Sequence, residues 1–151
     1  MLARFVVALA LGALLGVERE LVGKEAGVRT EMVVAGGAAL FTMIALALPY
    51  LTAATLGIVP DMSALNSGLG VIANIVVGIG FLGAGLIIKA GEHPHGITTA
   101  ALVWLTAAIG VLAGLGMIQF AALSAVFVTL LLYLLRKLDI SERLEHHRPK
   151  K

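Results

Sequence analysis

The residues best suited to chemistry lie together in one short charged segment, residues 18–31. It holds four carboxylates and three cations: Glu18, Glu20, Glu25 and Glu31 with Arg19, Lys24 and Arg29. Carboxylate oxygens are ligands that Mg²⁺ prefers, and guanidinium groups bind phosphate. Two interpretations stay open, a solvated loop or a site for a cation or a lipid headgroup. The candidate metal ligands in such a site are Glu18 and Glu20. Glu31 would join them, with Arg29 as the organising cation.

The pairing of these charges is predicted from helix geometry. Glu18 and Arg19 are adjacent in sequence and would point in different directions on a helix. We therefore expect Lys24 or Arg29, returning toward the next helix, to pair with Glu18 or Glu20.

A second pattern, Gly78-x-Gly80-x-x-Gly83, has the letters of a dinucleotide-binding fingerprint. That fingerprint requires a preceding strand and an acidic residue about 20 positions further on. Here the glycines lie inside one apolar run, residues 69–88, and no acid stands near position 100. Twenty residues at about 1.5 Å each match the hydrocarbon thickness of a bilayer, so the run is typical of a membrane helix packed through small residues.

One amide lies within this apolar run. Asn74, Gly78, Phe81 and Gly85 recur at helical spacing and share one face. Asn74 either hydrogen-bonds across a helix contact or belongs to a polar path through the bundle. Because Gly80 and Ala84 form a second small-residue pair, we expect this helix to be central.

Catalytic and cofactor motifs are absent from the sequence. It has no nucleophile elbow, HExxH or P-loop, and no cysteine. Basic residues interleaved with aromatics, typical of nucleic-acid binding, are also missing. We expect neither an enzyme nor a nucleic-acid-binding protein. No cofactor is expected, and an interaction with Mg²⁺ stays open.

The elements that must position these residues are membrane helices. The chain is 60% hydrophobic with a mean hydropathy of +1.02. We predict an all-α polytopic membrane protein with five transmembrane helices at residues 2–17, 32–51, 69–88, 97–116 and 118–135. Glycine-rich packing is expected at Gly12, Gly16, Gly78, Gly80, Gly83, Gly85, Gly110 and Gly114. Thr98 and Thr99 begin the fourth helix, where a hydroxyl can cap free amides.

The distribution of basic residues predicts orientation. The first connector carries three Lys and Arg, the second none, the third one, the fourth none and the tail six. The positive-inside rule then places the N-terminus outside and the C-terminus in the cytoplasm.

Five short motifs taken together resemble the membrane domain of the MgtC/SapB family of bacterial inner-membrane proteins. They are VERE at 17–20, KEAGVRT at 24–30, GIGFLGAG at 78–85, GITTAA at 96–101 and WLTAAIG at 104–110. The resemblance implies a membrane domain over residues 1–136 and a charged cytoplasmic tail over 137–151. It also implies a functional polar set, which is Glu18, Arg19, Arg29, Thr30, Asn74, Thr98 and Thr99.

The same resemblance implies a multi-pass protein of the bacterial inner membrane with a role in adaptation to low magnesium and in virulence through survival inside macrophages. Members of the family are expected to regulate other membrane proteins, including the ATP synthase. A homo-oligomer, with a dimer favoured, fits the small-residue faces. The alternative is a small Mg²⁺ transporter or channel.

Overall fold

The computed structural model describes residues 1–57, 62–90 and 93–138. Five helices and one short hairpin follow in the order α1 (Leu2–Leu21), α2 (Val28–Leu56), α3 (Met62–Leu86), β1 (Ile88–Ala90), β2 (His93–His95), α4 (Ile97–Leu115) and α5 (Ile118–Lys137). The all-α class is confirmed. The antiparallel hairpin, which pairs Ile88 with His95, was not predicted.

α1 continues one turn beyond its apolar segment. Glu18, Arg19 and Glu20 therefore lie on the helix, because nothing between Val17 and Leu21 interrupts it. Glu, Arg and Leu are good helix formers. The turn at Gly23, with φ +67°, ends the helix, a conformation that glycine adopts without strain. The predicted boundary at residue 17 was wrong for this reason.

α2 begins four residues earlier than predicted and ends later. Its first turn includes Glu31, so the carboxylate that precedes the apolar run belongs to the helix. At its other end α2 passes through Pro49 and stops at Gly57, which has φ +67°. α3 also begins earlier than residue 69, so most of the predicted loop over 52–67 is helical.

Four helical segments of the described chain are long and apolar enough to cross a membrane. They are Val28–Leu56, Gly68–Leu86, Ile97–Leu115 and Ile118–Lys137. α1 is about 30 Å long, but it carries Arg4, Glu18, Arg19 and Glu20 within its 20 residues. The count of five spans therefore stays a prediction.

α2 and α4 form the centre of the bundle. α4 packs against each of the other four helices, and α2 packs against α1, α3 and α4. One buried cluster, which includes Leu15, Met43 and Ile109, joins α1, α2, α4 and α5. The prediction of a central α3 was wrong, because most of its surface is exposed within the chain.

Glycines allow the close approach of α1, α2 and α4. A Cβ on Gly12 would meet the Glu31 carbonyl oxygen, and a Cβ on Gly110 would meet the carbonyl oxygen of Ala35. Gly16 lies against the backbone of Val28 in the same way. Because backbone atoms cannot move aside as a flexible side chain can, these positions require glycine.

The remaining predicted packing glycines differ in their surroundings. A Cβ on Gly114 would lie 2.8 Å from the carbonyl oxygen of Ala39, and a Cβ on Gly83 would lie 3.6 Å from the Cβ of Ala100. By contrast, three glycines of α3 face open space within the described chain: Gly78, Gly80 and Gly85. The packing role predicted for these three requires another molecule.

Arg4 links the start of α1 to the end of α4. Its Nη1 donates a hydrogen bond to the carbonyl oxygen of Gly114, 3.1 Å away, in the last turn of α4. A cation at this position satisfies a free carbonyl and opposes the negative end of the helix dipole. The N-terminus of α1 and the C-terminus of α4 therefore share one end of the bundle.

Candidate functional site

The centre of the polar site is the buried guanidinium of Arg19, which is 4% exposed. Its Nη2 donates to the Thr99 hydroxyl at 3.3 Å, and its Nη1 lies 3.6 Å from Glu18 Oε2. The expected pairing of Glu18 with Lys24 or Arg29 was wrong. Adjacent side chains on the last turn of α1 reach each other here because both are long and flexible.

Thr99 connects this buried cation to the surface. Its hydroxyl accepts from Arg19 and donates to Glu25 Oε2 at 3.0 Å. Glu25 is exposed in the connector between α1 and α2. A backbone hydrogen bond at Glu25 itself, followed by the bond from Thr99, lowers the pKa of this carboxyl below its ordinary value. Arg19, Thr99 and Glu25 thus form a continuous polar chain from the interior to one end of the bundle.

The cap predicted for α4 is made differently. Gly96, with φ +83°, precedes the helix, and no side chain caps it. Thr98 and Thr99 lie inside the first turn rather than at the cap position. Thr99 is therefore free to contact Glu25 and Arg19, while Thr98 is exposed.

Glu20 and Arg29 do not join the polar contacts around Arg19. Glu20 Oε2 accepts a hydrogen bond from the backbone amide of Val28 at 2.9 Å and so caps the N-terminus of α2. Arg29 is exposed and Thr30 is half-buried on the same helix. Arg29 was the predicted organising cation, but in the described part of the chain Arg19 contacts a carboxylate instead, that of Glu18.

The site also contains a residue that was placed in the charged segment but not in the functional set. Glu31 is 0% exposed in the first turn of α2, and neither carboxyl oxygen has a hydrogen-bond partner among the described residues. The Thr106 hydroxyl of α4 and the Arg19 guanidinium lie close to this carboxyl. Thr106 is equally buried, yet its hydroxyl does not reach hydrogen-bonding geometry. The available signal was the position of Glu31 less than one turn before an apolar run.

Asn74 lies apart from this cluster. It is exposed at the middle of α3 and lines a groove of about 510 Å³ between α2 and α3. Apolar side chains and glycines make up the rest of the groove: Val33, Val34, Gly37, Ala38, Phe41, Val71, Ile75, Gly78 and Ile79. The structure therefore separates Asn74 from the buried threonines with which it could have formed a polar path.

A metal site would need several ligands in one place. In residues 1–57, 62–90 and 93–138, no three His, Cys, Asp or Glu side chains gather so that they could hold an ion. Glu18 and Glu20, the candidate ligands, instead contact Arg19 and the amide of Val28. The arrangement is a buried charge network rather than a preformed cation cage.

Comparison with known proteins places the chain in a family. The model of the MgtC family matches residues 5–140. Protein MgtC of Brucella abortus (strain 2308) is 42% identical over 128 residues, which cover 85% of this chain and 48% of that protein. Protein MgtC of Salmonella typhimurium (strain LT2) is 39% identical over 131 residues, covering 86% and 50%.

A third relative carries a different name. "Putative magnesium transporter YhiD" of Escherichia coli (strain K12) is 34% identical over 145 residues, which cover 91% of this chain and 63% of that protein. The chain thus spans about half of the two MgtC proteins and less than two thirds of YhiD. No solved structure matches significantly. The family match and the apolar helices together confirm the resemblance: the chain is a membrane protein that belongs to the MgtC family.

Proposed function

We propose that this protein is a non-enzymatic regulator of the bacterial inner membrane that binds another membrane protein through the groove between α2 and α3. It would act in adaptation to low magnesium, as the resemblance to the MgtC/SapB family implies. The observation that carries the proposal is the exposed amide of Asn74 in the apolar wall of that groove.

The position of Asn74 favours a protein partner over lipid. α3 runs from Met62 to Leu86, so Asn74 lies at its midpoint. An amide transferred to hydrocarbon without a hydrogen bond costs roughly 4–8 kcal/mol. A partner helix with its own polar group would satisfy the amide.

The surface around the amide suits close helix contact. Gly78 lies one turn from Asn74, and a Cβ there would meet open space. Small residues let two helix backbones approach, and apolar surface such as that of Phe41 then packs alongside. The occupant is a transmembrane helix, either from a regulated complex such as the ATP synthase or from a second copy in a homodimer.

The test is co-purification of the ATP synthase from native membranes, together with self-association in lipid vesicles measured by energy transfer. We expect Gly78→Leu and Asn74→Leu to lose at least one of these associations, because they fill the groove or remove its amide. Gly80→Leu is the matched control, since Gly80 is also open but does not line the groove. Unchanged association in both groove variants would refute the proposal.

Magnesium transport is the second candidate, and the name of the Escherichia coli relative favours it. Flux of Mg²⁺ into proteoliposomes separates the two functions. A regulator gives no protein-dependent flux when folded and oriented. Flux that is lost in Glu18→Gln with Arg29→Gln would make the protein a transporter instead.

A further inference from the structure

The buried carboxyl of Glu31 is not explained by regulation through the groove. Glu31 is completely buried where α2 packs against α1, and it does not line the groove. Both of its oxygens and the Thr106 hydroxyl lack hydrogen-bond partners among the described residues. A buried polar group without a partner is rare, so this one requires an explanation.

The charges around Glu31 do not balance. Arg19 is the one buried cation of the described residues, and it already contacts Glu18 and Thr99. The other titratable groups that the described residues place at this end are exposed: Glu20, Lys24, Glu25, Arg29 and His95. The described part of α3 contributes no titratable side chain, and α5 contributes only exposed or peripheral Tyr133, Arg136 and Lys137. One negative charge is left without a compensating charge in a low-dielectric interior.

The site is too poor in ligands for a metal ion. A Cβ on Gly12 would already meet the Glu31 carbonyl oxygen, so α1 and α2 are in backbone contact here. Mg²⁺ requires about six oxygen ligands in octahedral geometry. Glu31 and Thr106 offer one carboxyl and one hydroxyl. A proton needs no coordination shell and removes the charge outright.

We propose that Glu31 is a proton-binding site inside the membrane domain. At neutral pH the carboxyl carries the proton as a neutral acid, and its O–H donates to the Thr106 hydroxyl after a small side-chain rotation. Loss of that proton leaves a carboxylate, which Arg19 compensates by turning from Glu18 and Thr99. The chain of contacts from Arg19 through Thr99 to the exposed Glu25 connects the site to one end of the bundle.

The test is infrared difference spectroscopy of the full chain in lipid nanodiscs as the pH is changed. At pH 7 we expect a carbonyl band of a protonated carboxyl that Glu31→Gln removes. Glu20→Gln is the matched control, since Glu20 is exposed and caps α2. That variant should keep the band. Thr106→Val should shift the frequency of the band, because the carboxyl loses its hydrogen-bond acceptor.

Two results would overturn the proposal. One is a spectrum at pH 7 with no protonated band that depends on Glu31 or Thr106, since the carboxyl is then ionised. The other is a band that appears only after chelation of metal ions, since a cation then occupies the site. If Glu31→Gln does not fold, two other measurements test the proposal. They are the frequency shift of the carbonyl band in Thr106→Val and the pH titration of that band in the unmodified protein. Neither result depends on partner binding, so failure of this proposal is distinguishable from failure of the proposed function.

Discussion

A buried arginine is tolerated at the end of α1 because neighbouring groups satisfy part of its charge and its hydrogen-bonding capacity. Thr99 supplies an acceptor from α4, and Glu18 supplies a negative charge from the same helix. Removing one partner of such a group leaves it desolvated, which costs more than the bond itself contributes. The stability of the site therefore depends on Thr99, a small residue with two different contacts.

Thr99→Val tests this dependence because valine keeps the shape and removes the hydroxyl. We expect the free energy of unfolding to fall by about 1–3 kcal/mol, since Thr99 is 1% exposed and Arg19 loses its acceptor. Thr98→Val is the control, because Thr98 is exposed on the same turn. It should change stability by less than about 0.5 kcal/mol. Denaturant unfolding in detergent measures both, and equal losses would contradict the assignment.

Glu25 makes part of this stability pH-dependent. Its pKa is lowered in the folded protein, so its contribution is present above the ordinary carboxylate pKa of about 4.3 and is lost as the pH falls through the lowered value. Thr99→Val removes one cause of the lowering. We expect the stability difference between the unmodified protein and Thr99→Val to narrow below about pH 4. Unfolding curves of both proteins, measured at pH 7 and below pH 4, check this. A stability difference between the two proteins that widens in acid would be inconsistent with the expectation.

At the residue scale, the members of the polar site were easier to predict from the sequence than the contacts between them. Glu18, Arg19 and Thr99 were in the predicted set, and the structure brings them together. Glu31 was a candidate for the cation site but not a member of the set that the resemblance implies, and its burial depends on where α2 begins. At that start Glu20, from a different helix, accepts a hydrogen bond from the Val28 amide, a contact that local sequence does not predict.

At the scale of helices, glycine spacing is similar in α1, α3 and α4, but the outcomes differ. Gly12 and Gly110 allow backbone contacts within the chain, whereas Gly78 and Gly80 face open space. A small-residue pattern shows that a helix can approach another closely, but it does not show which one. Contact with a different molecule produces the same spacing, so the position of α3 was not predictable from it.

Gly110→Ala and Gly37→Ala give a matched comparison of these two environments. A Cβ on Gly110 would meet the Ala35 carbonyl oxygen, and one on Gly37 would meet nothing within 4 Å. We expect Gly110→Ala to lower the melting temperature, because α2 and α4 must separate. Gly37→Ala should be neutral or stabilise by about 0.5–1 kcal/mol, since alanine loses less conformational freedom in a helix. Thermal unfolding in detergent measures both variants. Equal stability would show that the contact between Gly110 and Ala35 tolerates an added methyl group.

At the scale of the whole molecule, the polar contacts between distant parts of the chain lie at two opposite ends of the helix bundle. Glu25 and Thr99 bring the first connector and the start of α4 to one end, and Arg4 and Gly114 bring the chain's beginning and the end of α4 to the other. The Lys and Arg distribution predicted that the first and third connectors share a side. The side of the membrane on which they lie is a separate question.

Single cysteines can answer that question directly, because the sequence contains none. With the N-terminus outside, Met117→Cys should react with an impermeant maleimide in intact spheroplasts. Lys24→Cys should react only after the membrane is opened. Both residues are exposed and lie at opposite ends of the bundle. The reverse pattern of labelling would invert the orientation.

The hydrogen bond between Arg4 and Gly114 has a consequence for biosynthesis. Arg4 and Gly114 are 110 positions apart in the sequence, and Arg19 and Thr99 are 80 positions apart. At roughly 5–20 residues per second, a ribosome needs on the order of 5–20 s to supply the partner of Arg4. During that time Arg4 lacks its acceptor on α4, and Arg19 has Glu18 but not yet Thr99. The contacts of both arginines of α1 with α4 are therefore completed only after α4 has been made.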